Sequence, residues 1–509
     1  MTKKTILLIA FILIKFFLQF FLISPEYELQ RDEFLHLDQA NHLAWGYFSV
    51  PPFTSWISWI IQFLGNGVFW VKFFPALFGA LTIVIVWKAI EELKGNLFAL
   101  ILGATCVLFS VLLRINLLYQ PNSFDVLSWT TFYFILIKYI NTEKPKWLYI
   151  AAVVFAIGFL NKYNIVFLLI GLFPAVLLSE HRRVFAKKEF YFSILLALIL
   201  ILPNLLWQYN NDFPVMHHLK ELAATQLVNV SRWDFFKDQL RYFIGALFVI
   251  LAGLFALMFY PAFKKYRLFF LTMFFTLIIF AYLKAKSYYA IGLYPVYFSF
   301  GSVFLAAILQ HGWKKYLQPV AIAIPVLFFI PMYGVLFPNK SPDYIVKNPE
   351  AYKNFGMLRW EDGKEHHLPQ DFADMLGWKE LAVKIDSICA GLPNLDYTLI
   401  LCDNYGEAGA INYYTKNKKI KAASFNADYI NWFNLNQKIT DVILVKEADD
   451  EDKNRQVEIP LFDSVYLADK RINQYAREQE ISIYVLRGAK VDVMKRIKDE
   501  IAQKKKDQF

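Results

Sequence analysis

Two adjacent carboxylates, Asp32 and Glu33, follow the first long apolar run of the chain within ten residues. A carboxylate beside a bilayer has two roles open to it. It can open a helix, where negative charge suits the positive end of the backbone dipole. It can also take a proton from an acceptor hydroxyl or amine, or bind that acceptor. A third acid, Asp125, stands at the mouth of another apolar run, a costly place unless water or a partner is close. Six bases, Arg114, Lys162, Lys220, Arg241, Lys284 and Lys286, fall at helix ends on the same face as these acids. Snorkelling of a long stem explains any one of them. Together they suit a phosphate whose leaving oxygen gains charge in a reaction. Lipid phosphates lie at that depth, so the pattern points to chemistry on a lipid-linked substrate. His36, His42, His217 and His218 have no compact metal-ligand spacing, and neither a metal nor another cofactor is expected. P-loop, GxSxG, CxxC and HExxH motifs are absent from the sequence.

The elements that must position these groups are membrane helices. The chain has 509 residues, 57% hydrophobic with 50 Phe, and a mean hydropathy of +0.36. Its apolar residues come in long runs at 5–23, 68–90, 96–113, 124–140, 147–161, 164–179, 190–207, 241–260, 267–284, 290–309 and 317–336, about eleven candidate spans. The first reads as a retained helix rather than a cleaved leader. Around Asn161-Lys162-Tyr163-Asn164 two short runs could form a re-entrant pair. The formal charge of +10 does not signal nucleic acid. Lys3, Lys4, Lys88, Lys94, Lys138, Lys144, Lys146, Arg182, Arg183, Lys187, Lys188, Lys264, Lys265, Arg267, Lys314 and Lys315 crowd into short segments of one side. That bias puts the N-terminus in the cytoplasm. An odd number of spans then puts everything after Phe337 outside. The first outer loop, 24–67, should carry a short helix over 34–47 and an interfacial helix over 51–64.

Residues 1–338 thus form a membrane domain, and 339–509 a C-terminal soluble α/β domain with strand-like runs at 397–401, 441–445, 464–467 and 481–486. A helix fits 406–414. A Lys-rich helix fits 491–505, read as a solvated face, with anionic lipid head groups as the other reading. Three Cys (Cys106, Cys389, Cys402) are too few for a disulfide framework.

Several motifs together resemble the bacterial dolichyl-phosphate-mannose–protein mannosyltransferase superfamily, in the branch of the lipid A aminoarabinose transferases. They are Arg31-Asp32-Glu33, Ala44-Trp45-Gly46-Tyr47 running to Pro51-Pro52-Phe53, and Pro121-Asn122-Ser123-Phe124-Asp125. Gly158-Phe159-Leu160-Asn161-Lys162-Tyr163, Pro203-Asn204-Leu205-Leu206-Trp207, and Lys286-Ser287-Tyr288-Tyr289 with Tyr294-Pro295 continue the set. The tail adds a stretch from Pro369 to Gly377-Trp378, and Asn404-Tyr405-Gly406-Glu407-Ala408. The resemblance implies a polytopic α-helical GT-C type glycosyltransferase of the inner membrane with periplasmic amphipathic helices. It would move a sugar from an undecaprenyl-phosphate-linked donor to a lipid, glycan or protein acceptor, with inversion. It also implies roles: Asp32, Asp125 and Glu33 as the catalytic carboxylates, with Asp32 first and Glu33 in support. Lys162, Lys286, Lys284, Arg114 and Lys220 would hold the donor phosphate. Arg31, His36, His42, Tyr288 and Tyr289 would line the acceptor or sugar cavity. One departure stands out. Ser49-Val50 occupies the place before the double proline where the aminoarabinose transferases carry an acidic-basic pair, so that specificity does not transfer. A flippase for lipid-linked saccharides and a non-catalytic envelope scaffold are the alternatives.

Overall fold

The computed structural model describes residues 2–508. Each of the eleven apolar runs is helical, from Lys3–Phe21 and Val68–Glu92 through Asn122–Thr142 and Lys188–Asn210 to Pro295–Ile308 and Leu317–Leu336. Among the described residues, five helices are long and apolar enough to cross a membrane alone, and up to eight if each of three bent pairs is one span. Leu97–Leu108 and Lys146–Asn161 are apolar but shorter than the ~20 residues a crossing takes.

The two short runs around Lys162 do not fold back on each other. Lys146–Asn161 packs between Asn122–Thr142 and Lys188–Asn210, whereas Ile165–Leu177 packs mainly on Arg267–Tyr282. Elsewhere small residues bring backbones together, as expected where lipid supplies no hydrophobic drive between helices. A Cβ on Gly253 would lie 2.7 Å from the Tyr297 carbonyl oxygen, so Leu247–Phe259 and Pro295–Ile308 meet only because that atom is missing.

The loops sort to two ends of the bundle. At one end Lys138 pairs with Glu92 at 2.6 Å and Lys187 with Glu143 at 3.1 Å. At the other, the tail takes hold: Arg114 pairs with Asp371 at 2.8 Å and Lys286 with Glu361 at 2.5 Å.

The first loop folds into the tail. Its helix is Arg31–Asp38, followed by a single 3-10 turn at Gln39–Asn41, so it starts earlier and stops sooner than the run 34–47 expected from sequence. The start is fixed by a capping box in which Gln30 caps the first turn and Glu33 reaches back to the Gln30 amide. The stop is fixed by Tyr47, whose hydroxyl lies 3.2 Å from the Gln39 carbonyl and 3.1 Å from that of His42. Carbonyls that another helical turn would have satisfied are met by a side chain instead. The interfacial helix forms at Phe53–Phe63.

The tail is a five-stranded sheet, β1 (Thr398–Cys402), β2 (Ala422–Ser424), β3 (Asp441–Glu447), β4 (Phe462–Ile472) and β5 (Glu480–Ala489), in the order β2-β1-β3-β5-β4. β2, β1 and β3 are parallel; β5 and β4 are antiparallel. β3 is buried on both faces, which is why it reads as an unbroken apolar run. Ile443 and Val445 face Trp378–Ala390 and Tyr405–Tyr414, which pack in turn on Phe34, Leu35 and Leu37 of the first loop. Val442 and Leu444 face Val493, Met494 and Ile497 of the C-terminal helix. That Lys-rich helix, Val493–Gln508, therefore lies on the sheet face turned away from the bundle. The solvated-face reading accords with this placement. All three cysteines are free and buried.

Candidate active site

Asp32 sits in the first turn of Arg31–Asp38, half-buried where the first loop, the head of Asn122–Thr142 and the tail meet. Its backbone N–H donates to the Gln30 side chain at 2.8 Å. Its carboxylate takes two further donors. The Tyr405 hydroxyl donates to Oδ1 at 2.5 Å and the Gln120 amide donates to Oδ2 at 2.9 Å. The Gln120 carbonyl oxygen accepts from the Asn122 amide at 3.0 Å, and the Asn122 oxygen accepts from the Lys162 ammonium at 2.7 Å. Every donor in this line points from ammonium toward carboxylate, so the amide dipoles reinforce one another. Pro121 stands between the two amides, and its carbonyl is held by Asn161 at 2.9 Å.

Lys162 lies over aromatic faces, 4.4 Å from the Tyr289 ring centre and 5.2 Å from that of Tyr288, an arrangement that favours its charge. Burial nevertheless brings Lys162 down to about 8, against the pull of Asp125 and with Lys286 adding to the fall. Asp125 is buried. It accepts from the Trp129 indole and from Asn164, both at 2.9 Å, and Asn164 also donates to the Tyr289 carbonyl. One asparagine thus ties the acid to the tyrosine pair beneath Lys162.

Glu33 is a different object. It is fully buried, and Lys72 bridges both its oxygens at 2.7 and 2.8 Å. Oε1 also accepts the Tyr119 amide at 2.6 Å and Oε2 the Gln30 amide at 2.8 Å. All four acceptor positions of the carboxylate are filled by protein, which makes Glu33 the clasp of the loop. Arg31, also buried, pairs with Glu478 of the tail at 3.4 Å and lies under the Tyr405 ring at 4.6 Å. Asp374 receives Gln30 and Arg477, and its carbonyl receives the Arg31 amide. Burial pushes Asp374 up to about 7, although Arg31 and Arg477 pull it down.

The remaining expected residues divide. Lys286, Tyr288 and Tyr289 converge on Lys162, with Lys286 tied to Glu361. His36 is buried under the helix, 3.3 Å from Gln39 and edge-on to Tyr119, and burial lowers it below its ordinary value. His42 stacks on Trp432 at 4.3 Å. Arg114 is bound to Asp371 and the Leu336 carbonyl. Lys220 is exposed on Pro214–Thr225, and Lys284 lies on a turn with φ 52°. Sequence reasoning singled out no role for Gln120, Asn122 or Lys72. Two of them flank Pro121 in the motif leading to Asp125, a signal that spacing alone does not distinguish from helix capping.

Residues 49–207, which hold Gln120, Asn122, Asp125 and Lys162, match the dolichyl-phosphate-mannose-protein mannosyltransferase family. A curated relative, the lipid A galacturonosyltransferase RgtD of Rhizobium johnstonii, is 22% identical over 198 residues, covering 37% of this chain and 41% of its own length. The match thus spans less than half of that relative. Crystal structures of ArnT from Cupriavidus metallidurans, one bound to undecaprenyl phosphate and one apo, superpose with TM-scores of 0.61. They cover 94% of this chain and 97% of ArnT at 13% and 12% identity. The fold is GT-C. The GT-C resemblance read from the motifs is borne out for the architecture as a whole and, in sequence, for residues 49–207.

Proposed function

We propose that the chain is an inverting glycosyltransferase that moves a hexose or pentose from a polyprenyl-phosphate-linked donor to a lipid, glycan or protein acceptor. The observation that carries this reading is the polarised line from Lys162 through Asn122 and Gln120 to Asp32. It holds one cation and one carboxylate a fixed two amides apart at the mouth of an apolar bundle. The donor phosphate sits against Lys162 on its tyrosine platform, with Lys286 behind. Asp32 faces the acceptor. The acceptor oxygen attacks C1 from the side opposite the phosphate and gives its proton to Asp32. The C1–oxygen bond to phosphate breaks, and the electron pair leaves with the phosphate, whose growing charge meets Lys162. Phosphate leaves without prior protonation, so the second carboxylate of inverting glycosidases has no counterpart here. Asp125 steadies Asn164 and the charge of Lys162 rather than touching the sugar. The ArnT structure bound to undecaprenyl phosphate and the name of the lipid A galacturonosyltransferase support a polyprenyl donor and a lipid acceptor. The sorting of basic loops to the end remote from the tail supports an inner-membrane protein with a cytoplasmic N-terminus and a periplasmic tail.

Reconstitution with defined undecaprenyl-phosphate sugars, read by mass spectrometry of the products, tests the proposal. Asp32→Asn should lower transfer about 10²–10⁴-fold while donor binding persists. Movement of intact lipid across vesicles with no transfer at all would replace this reading with a transporter.

A further inference from the structure

The Asn404-Tyr405-Gly406-Glu407 stretch brings the tail to Asp32. We propose that Tyr405 is a positioning residue for Asp32, so that the tail domain supplies part of the active site; this rests on Asp32 acting as the base. Each residue of the stretch has a task in that placement. Asn404 caps Tyr405–Tyr414, accepting the Glu407 amide at 3.0 Å, while Glu407 accepts the Asn404 amide at 3.3 Å. The cap fixes Tyr405 at the first helical position. Gly406 and Gly409 then let the helix lie against Arg31–Asp38. A Cβ on Gly406 would come within 3.1 Å of the Arg31 Cβ, and one on Gly409 within 2.6 Å of the Phe34 Cβ. Side chains at those two places would hold the helices apart and withdraw the phenol.

Arrival of the phenol is reinforced from below. The Arg31 guanidinium lies 4.6 Å under the Tyr405 ring and is itself held by Glu478. The hydroxyl donates to Asp32 Oδ1 while Gln120 donates to Oδ2. A carboxylate has about four acceptor positions. Two donors, one on each oxygen, fix the plane of the group and leave a lone pair on each oxygen for the acceptor proton. Only one of these donors belongs to the region that matches the mannosyltransferase family; the other comes from the tail, 373 residues after Asp32.

The test is Tyr405→Phe in the full-length protein, which keeps the ring on Arg31 and removes the donor. The first measurement needs no turnover. Labelling of Asp32 by dicyclohexylcarbodiimide, quantified by peptide mass spectrometry at one neutral pH, should rise several-fold because one oxygen is uncovered. In the transfer assay kcat should fall about ten- to a hundredfold, the range for a hydrogen bond to a charged group, while KM for the donor stays within about twofold. The thermal unfolding midpoint of the variant, followed in parallel, should fall by no more than the loss of one hydrogen bond allows, with the tail still docked. Unchanged labelling and an unchanged kcat would overturn the positioning role. Increased labelling in Tyr405→Phe, with Asp32→Asn transferring sugar like the parent, would instead overturn Asp32 as the base and leave the Tyr405 contact standing.

Discussion

Glu33→Gln should unfold the protein without entering the chemistry, and Asp32→Asn should do the reverse. The magnitude follows from how the Glu33 oxygens are occupied. Each accepts one N–H from Lys72 and one from a backbone amide, Tyr119 on one side and Gln30 on the other. Whichever oxygen becomes NH₂ in glutamine meets two donors with a third, so one Lys72 contact and one backbone contact are lost together. Hydrogen bonds to charged groups are worth about 1.5–3 kcal/mol each, giving about 3–6 kcal/mol for the two. Breaking a buried ion pair from one side costs about the same, 3–5 kcal/mol, and Lys72 would be left with a charge that its 13% exposure hardly solvates. The protein carries its own reporter, because Cys106, Cys389 and Cys402 are free and buried, one in the bundle and two in the tail. A thiol-reactive dye should therefore show Glu33→Gln unfolding at clearly lower temperature, with transfer per folded molecule within about threefold of the parent, because the proposed mechanism gives the proton transfer to Asp32. Asp32→Asn should melt near the parent and lose transfer. A Glu33→Gln protein that melts like the parent yet is inactive would refute the assignment and move the base to Glu33.

Three further outcomes follow from the same geometry. Binding of undecaprenyl phosphate should weaken as pH rises through about 8, since Lys162 is charged below that value and neutral above it; isothermal titration across pH 6.5–9 checks this, and Lys162→Met should flatten the dependence. Gln120→Leu removes the donor to Asp32 and the acceptor for Asn122; transfer should fall about tenfold or more with unfolding little changed, read by the same two assays. Phe34, 1% exposed against Trp378, Tyr413 and Tyr414, anchors the first loop in the tail. Phe34→Ala should cost about 3–5 kcal/mol and release a protease-sensitive tail in limited digestion.

The membrane helices were legible because a run of apolar residues has one stable solution in lipid, and all eleven runs are helical. Four strands were legible for a similar reason; β2, three residues long, was too short to leave a pattern. Asp32 and Lys162 could be chosen from their types and places, but the line joining them could not. It depends on Gln120 and Asn122 turning to either side of Pro121. Glu33 shows the opposite case: its type and position match those of Asp32, and contacts arriving from Lys72 and the Tyr119 amide, distant in sequence, set it apart. His42 is expected in the acceptor or sugar cavity from its place in the first loop, but the helix ends before it and its ring stacks on Trp432.

The shared core of first loop and tail also bears on how the protein comes into being. Asp32 and Tyr405 are 373 residues apart, and at a synthesis rate of ~5–20 residues per second the early loop waits about 20–75 s for its partner. During that interval Phe34, Leu35 and Leu37 lack the tail helices they pack on, and Asp32 lacks one of its two side-chain donors. A half-made chain thus carries the membrane helices without a finished candidate site. On the proposed mechanism such a nascent chain would bind lipid phosphate through Lys162 before it could act on it, and any factor that holds the first loop in this window would control how much of the chain matures.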